Sequence, residues 1–473
     1  IRDVAYGSLA KERRIELHRR LARWMNVHAE AIAESDELVG HHLEQAARYA
    51  RDLGTPDPQL ECEAAERLAD GGLRASTRVD FPAAARLLER SLELLPQDHE
   101  RRAPLLLEHG MCLEHLGLLT DSDTQLGRAL ATATRQGDEL TALRARVALR
   151  RVGVHTRPQE ISYRSAAQEA EEAARRMARL EDQLGQGEAW MLVADFRYWQ
   201  GELGASIDAY RQAIDHARRA GNARLVAGSV GGVAFAMVEG PRSVSEGLDA
   251  VSDLSGLSDD PLTALRLVCV RGTLIALAGD LDEGWRLVEH SGDLAKRLGA
   301  ELVGVRLVSE CLYLIAVVAG RRTDAERSLV DAVRFFEEGG GQGFLSTRAA
   351  YLAHVLFEQS RFDEAAQLTA RYAALGTADD YANQVEWRLA AAKLATRDGD
   401  ATRAQILAKE AVEMMRPTDS LIQKPRALED MAVVMELSGL PGEAATARAE
   451  AREMYQRKGC QLALARMSRE LTP

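Results

Sequence analysis

The chain has 473 residues, 46% of them hydrophobic but only 5% aromatic, and a formal charge of −12. Length alone suggests about three globular domains, while the acidic balance excludes general polyanion binding, so no direct nucleic-acid contact is expected. Five cysteines (Cys62, Cys112, Cys269, Cys311, Cys460), scattered, odd in number and without a C-x-x-C pair, fit a reducing cytoplasm better than a disulfide framework.

Residues 1–36 stand apart at the start. KERRIELHRRLARWMNVHAEAIAE reads as one amphipathic helix with Leu17, Leu21, Trp24 and His28 on a face. Arg13, Arg14, Arg19, Arg20 and Arg23 make it basic. Two readings stay open, a docking helix for an acidic or nucleotide-bearing neighbour and a solvated arginine face.

From Glu37 onward the sequence repeats. A small residue just inside a second helix recurs at Ala46, Ala84, Ser122, Ser165, Ala205, Ser245, Gly284, Ala325, Ala365, Ala404 and Ala444. The spacing averages about 40 residues, room for two helices and two short loops. A glycine five residues before the marker, at Gly240, Gly279, Gly320, Gly399 and Gly439, suits a helix end that needs a left-handed residue. One helix pair cannot bury both its faces, and stacking on its neighbours closes the core.

The fold class predicted is therefore all-α: a right-handed α-solenoid, a tetratricopeptide-like superhelix of about eleven helix pairs. Residues 37–155 read as N-terminal repeats, 156–459 as the main superhelix and 460–473 as a cap. The wide spacing around Pro158 suggests a bend there. The longest apolar run, Cys311 to Gly320, has about half the length needed to cross a bilayer, so no membrane contact is expected.

The N-terminal blocks IRDVAYGSLAKERRIELHRRLARWM, LVGHHLEQAARYARDLG and RLADGGLRASTRVDFPAAARLLERSLELLP carry a resemblance, as do DDYANQVEWRLAAAKLATRDGD and MYQRKG further on. They resemble the tetratricopeptide tail of large bacterial signalling proteins that join a class III adenylate/guanylate cyclase, an AAA/STAND-type ATPase and a helical repeat region. The likeness covers nearly the whole chain. It implies a sensor and scaffold region that follows an upstream ATPase module. The start at Ile1 rather than Met fits a piece lacking those upstream domains. STAND-type transcriptional regulators share the plan, so a DNA-binding output is the alternative.

No catalytic residue is expected in this segment, and no cofactor or metal. There is no G-x-x-x-x-G-K-[ST]; GGGQGF (339–344) follows a helix rather than a strand and has no lysine after it. His41-His42 point to different sides of a helix and match no zinc spacing. Gly228 and Val230-Gly231-Gly232 read as close helix packing, and Asp259-Asp260 and Asp379-Asp380 as carboxylates at helix starts.

Two clusters are candidates for a ligand or partner surface. Phe196, Tyr198, Trp199 and Tyr210 concentrate aromatics in a chain that has few, on a fold that binds along its concave face. Gln384, Trp387 and Arg388 offer an exposed anchor of the kind found at interfaces. For both, packing is the competing reading. The partner expected is a protein or small-molecule effector in the superhelical groove. The rival from another class is an α-solenoid enzyme, which a deep cleft with three or more facing titratable groups of perturbed pKa would favour.

Overall fold

The computed structural model describes Tyr6 and residues 9–28, 35–257 and 259–470. Parts of the expected entry segment and cap (residues 1–5, 7, 8, 29–34 and 471–473) lie outside the described residues. Among the described residues every long element is an α-helix and there is no strand.

The helices come in pairs. The first pairs are α1 (Lys11–His28) with α2 (Ser35–Asp52), α3 (Pro58–Thr77) with α4 (Phe81–Leu94), and α5 (Arg102–His115) with α6 (Leu119–Gln136). Then come α7 (Glu139–Thr156) with α8 (Tyr163–Arg179), α9 (Gln183–Trp199) with α10 (Leu203–Arg219), and α11 (Ala223–Glu239) with α12 (Val244–Ser255). They continue as α13 (Pro261–Ala278) with α14 (Leu281–Arg297), α15 (Glu301–Val318) with α16 (Glu326–Gly339), and α17 (Gln342–Glu358) with α18 (Phe362–Tyr372). The last are α19 (Tyr381–Arg397) with α20 (Ala401–Met415) and α21 (Gln423–Leu437) with α22 (Pro441–Lys458), followed by the single helix α23 (Gln461–Glu470).

The expectation that residues 1–36 stand outside the repeat needs correcting. Ala22 on α1 is buried in one cluster with Val39, Leu43, Ala46 and Ala47 of α2, so α1 is the first half of the first pair. Its outer face is left bare: Leu17, Leu21 and Trp24 are 37%, 41% and 57% exposed.

What holds a pair together is a close crossing of two small residues twelve apart in sequence. Gly110 and Ser122 make one such crossing, and the Ser122 hydroxyl donates to the Gly110 carbonyl at 2.7 Å. Ser206 donates to the Ala194 carbonyl in the same way, at 2.8 Å. Between α13 and α14 both partners are glycine, and a Cβ on Gly284 would lie 2.5 Å from the Gly272 oxygen. Ala353 with Ala365, Ala392 with Ala404 and Ala432 with Ala444 repeat the crossing, all fully buried. Backbones approach this closely only where side chains are small, which explains the period read from the sequence.

Three of the eleven markers are out of register. Ser165 and Ser245 are exposed and Ala205 is half-buried, while Ala166, Ser206 and Gly247 are buried in their place. At Ser165-Ala166 and Ala205-Ser206 a small residue sits beside another, and only packing decides which one faces in. The Ser243 capping box starts α12 at Val244 and puts Ser245 in its first turn. Gly279, Gly320, Gly399 and Gly439 have positive φ, as expected of helix ends, but Gly240 does not, with φ −73. Its missing side chain serves a close approach instead, since a Cβ there would lie 2.6 Å from the Ala236 oxygen.

The chain divides into two compact units, one of Ile1–Leu116 with Asp121–Arg146, the other of Gly117–Thr120 with Val147–Pro473. The second unit closes on itself. Residues about 216 apart are joined by hydrogen bonds: Gln159 Nε2 to the Ala374 oxygen at 2.7 Å, Ser162 Oγ to Asp379 at 2.9 Å, and Thr377 Oγ1 to the Ile161 oxygen at 2.9 Å. Asp419 accepts the Leu203 and Gly204 amides, both at 2.8 Å, and so caps α10 from the far end of the sequence. The Leu421 amide reaches the Glu239 oxygen at 2.8 Å. The Lys458 ammonium, fully buried, takes the carbonyls of Met237, Gly240 and Arg242 at 2.8, 2.9 and 2.6 Å. One superhelical turn is thereby completed, with its first helices walling an interior.

Candidate functional site

The interior of this turn is charged. Five successive first helices carry a charged residue at one recurring position: Arg266 (ALRLV), Arg306 (GVRLV), Arg348 (STRAA), Glu386 (QVEWR) and Arg426 (KPRAL). They recur at about the repeat period, so they share one register on neighbouring helices. Two rows of this ladder are closed by ion pairs. Arg348, 3% exposed, meets Glu310 at 2.6 Å and donates to Ser309 Oγ at 2.8 Å. Arg426, also 3% exposed, meets Glu386 at 2.9 Å. Its guanidinium lies 5.2 Å from the centre of the Tyr313 ring, and Tyr313 stacks on Tyr351 at 4.0 Å.

Further along α21, Asp430 binds Arg322 from the short turn after α15 at 2.9 Å and Lys393 of α19 at 2.7 Å, with His354 of α17 beside it at 3.9 Å. Burial alone would raise the carboxyl's pKa, but the cations, Arg322 foremost, hold it far below the usual range. Desolvation pushes Lys393 and His354 down, so His354 is neutral at neutral pH.

Glu239, at the C-terminal end of α11, is fully buried in the same interior. Gln423 donates to its Oε2, while Oε1 has no partner among the described residues. Burial, reinforced by the negative charge of Glu310, pushes its pKa up to about 8 against the pull of Arg426, Tyr198 and Lys458. Glu310 on α15 and Arg426 on α21 are both within electrostatic reach of this residue of α11. Lys458 is pushed down to about 8 by its own burial.

Of the aromatic candidates, Phe196 and Trp199 pack with Tyr163, the Trp199 ring 5.2 Å from that of Tyr163. Trp199 also meets His155 edge-on at 5.6 Å. Burial raises the hydroxyl pKa of Tyr198, and the negative charge of Glu239 adds to it. Tyr210 lies against the bare backbone of Gly232 and donates to Asp195. The glycines of α11 thus serve two side chains as well as helix packing: a Cβ at Gly231 would strike Arg266, one at Gly232 the Tyr210 ring.

Of the exposed anchor expected at Gln384, Trp387 and Arg388, the tryptophan is buried. Trp387 is 4% exposed and its indole N–H donates to Ser346 Oγ at 3.0 Å. Gln384 and Arg388 are half-buried and bound to each other at 2.8 Å. Helical spacing put the three near one another correctly, but it does not say which face meets the next helix. Asp380 is an N-cap as expected, accepting the Asn383 amide, and also receives the Tyr163 hydroxyl from across the closure.

In the first unit the arginines of α1 are occupied within the chain. Arg13 and Arg20 pair with Glu16 and Arg19 pairs with Asp57. Arg14 covers the Tyr6 and Tyr49 rings at 5.0 and 5.3 Å, and Arg23 reaches the Arg19 carbonyl. His42 meets His18 rather than acting with His41, at 2.9 Å. Sequence reasoning also missed that Cys62, Glu66 and His99 bring ligand atoms within 4.8 Å of one another. His99 Nδ1 accepts the Arg101 amide at 3.3 Å, and its Nε2 lies 3.8 Å from Glu66.

No protein-family model and no curated protein matches the sequence. Solved structures share its fold. A chain of the APC/C hetero-tetramer Cut9-Hcn1 is 12% identical, with 99% of this chain and 92% of that one covered and a TM-score of 0.51. Yeast Tom70 is 13% identical over 98% and 97% of the two chains, with a TM-score of 0.39. The Rap protein complexed with competence and sporulation factor is 13% identical over 85% and 99%, with a TM-score of 0.41. At 12% identity the likeness to the Cut9-Hcn1 chain concerns the fold alone, which is a solenoid of tetratricopeptide type.

Proposed function

We propose that this chain is a non-catalytic binding region, a repeat scaffold that takes an effector on the inner face of its closed turn. The observation that carries the reading is the charged interior. Ion pairs and lone charges buried between apolar helices stabilise a fold less than apolar filling of the same volume would, so their presence suits recognition better than packing. The solenoid in the Cut9-Hcn1 structure is likewise part of an assembly with another protein. In the wider reading, the region serves a multidomain bacterial signalling protein and regulates an upstream ATPase and nucleotide-cyclase output. Binding would act by changing the curvature of the turn, and it shifts the conformation only by its difference in affinity for the two forms.

A second reading, catalysis, has two observations in its favour: Glu239 has a pKa raised to about 8, as a general acid at neutral pH would have, and Asp430, Lys393 and His354 face one another with shifted pKa values, although these three are spent on each other. The closure of Glu239 to solvent and its own-chain partners favour the binding reading. A thermal-shift screen of the chain against metabolites and short peptides tests the proposal. Saturable stabilisation by at least one compound is expected. A flat response across the screen, with turnover of a chromogenic ester or phosphoester lost in Glu239→Gln, would reverse the order of the two readings.

A further inference from the structure

We propose that the interior of the second unit holds the oxyanion of a small ligand, a phosphate or carboxylate group, between Arg266 and Arg306. This rests on the binding reading above and names the chemistry it takes.

The ladder of charges supplies the argument. Each later arginine is neutralised by an acid on the first helix before it: Arg348 by Glu310 of α15, Arg426 by Glu386 of α19. The acids needed for the first two rows are missing. The position on α13 that corresponds to Glu310 is Val270, and the residue of α11 that Arg266 lies against is Gly231. Among the described residues neither Arg266 nor Arg306 has an ion-pair partner. Glu310, four residues after Arg306, is committed to Arg348.

Arg266 is 7% exposed, and its Nη1 is closed off from solvent without a partner. Thr263, one turn earlier on α13, is 1% exposed with its hydroxyl equally unpartnered. The two carboxylates in the field of Arg266 are engaged elsewhere: Asp195 receives the Tyr210 hydroxyl and Asp260 caps α13 through the Leu262 amide. The chain makes room for this arginine, since a Cβ on Gly231 would come within 2.2 Å of its Cδ. Arg306 reaches over the Phe344 ring at 5.8 Å, and that ring stacks on His155 at 3.5 Å.

A buried guanidinium left unpaired is costly, and two at neighbouring rungs repel; burial and Arg306 together push Arg266 down to about 10. An oxyanion removes both penalties, because each guanidinium presents planar, paired N–H donors that match phosphate or carboxylate. A small ligand fits better than a polypeptide, because the turn is closed by hydrogen bonds on its rim and a chain would have to thread it.

The test is calorimetric and thermal titration of the whole chain at constant ionic strength, with inorganic phosphate, pyrophosphate and succinate as probes and chloride as the reference. Arg266→Met, Arg306→Met and, as control, Arg271→Met on the exposed side of α13 are compared. Saturable binding of one probe class is expected, weakened at least tenfold in the first two variants and unchanged in the third. Phosphate probes binding while succinate fails identifies a phosphorylated ligand, and the converse a carboxylate. In anion-free buffer Arg266→Met is expected to melt no lower than the parent. Absence of saturable binding, binding indifferent to both interior variants, or early melting of Arg266→Met overturns the proposal. If an acidic peptide or an uncharged compound binds while the small anions do not, this inference fails and the broader binding reading survives.

Discussion

Glu239→Gln offers a measurement whose size and sign both follow from one buried group. The carboxyl has a folded pKa of about 8 against an ordinary value of 4.5. A group raised in this way contributes stability that is fully present below the unfolded pKa and is lost as pH climbs to the folded one. At about 1.4 kcal/mol per unit, the 3.5-unit gap amounts to about 5 kcal/mol above pH 8 and about 3 kcal/mol at pH 7. Glutamine keeps the shape and needs no proton, so the variant should be the more stable form above pH 5. Its advantage should grow by about 1.4 kcal/mol per pH unit and then level off near pH 8. Other titrating groups, including the nearby Lys458 and Tyr198, are common to both chains and cancel to first order. Urea unfolding at half-unit steps from pH 5 to 9, followed by tryptophan fluorescence, reads this out. Four of the five tryptophans (Trp190, Trp199, Trp285 and Trp387) belong to the second unit and report on it directly. An advantage that is constant with pH, or a variant less stable than the parent at pH 8, would refute the reasoning.

Asp430→Ala leaves Arg322 and Lys393 buried without their shared carboxylate, and should lower the unfolding free energy of the second unit by about 3–5 kcal/mol in the same urea assay. Asp419→Ala removes a cap that α10 receives from the far end of the turn. It should cost about 1–2 kcal/mol and speed hydrogen exchange in peptides covering Leu203 and Gly204. Gly272→Leu forces a Cβ to within 2.7 Å of the Gly284 oxygen, and its overpacking should cost about 1–3 kcal/mol or more, seen as a lower melting temperature.

The repeat was legible because helix pairs in a solenoid all solve one packing problem, and the small residues that solve it recur in step. Its register slipped where two small neighbours competed, at Ser165-Ala166 and Ala205-Ser206. The interior site was harder to see. The charges Arg266, Arg306, Arg348, Glu386 and Arg426 recur with the same period as the markers, so their column was legible. What sequence does not carry is which rows find partners, because Glu310 and Arg348 meet only after α15 and α17 stack. Closure of the turn was invisible for a related reason: Asp419 and Gly204 lie 215 residues apart and resemble any loop acid and helix-start glycine. Aromatic content misled in part, drawing notice to Trp387, a core residue.

Everything proposed for the interior depends on the turn closing. Ser162 and Asp379, joined at 2.9 Å across the closure, can be replaced together by cysteine in a Cys62→Ser background, the remaining native cysteines being buried. Mild oxidation of the native chain, followed by peptide mapping, should yield an intramolecular disulfide between positions 162 and 379 with no loss in melting temperature. A chain that stays reduced, or that links only to other copies, would contradict the account.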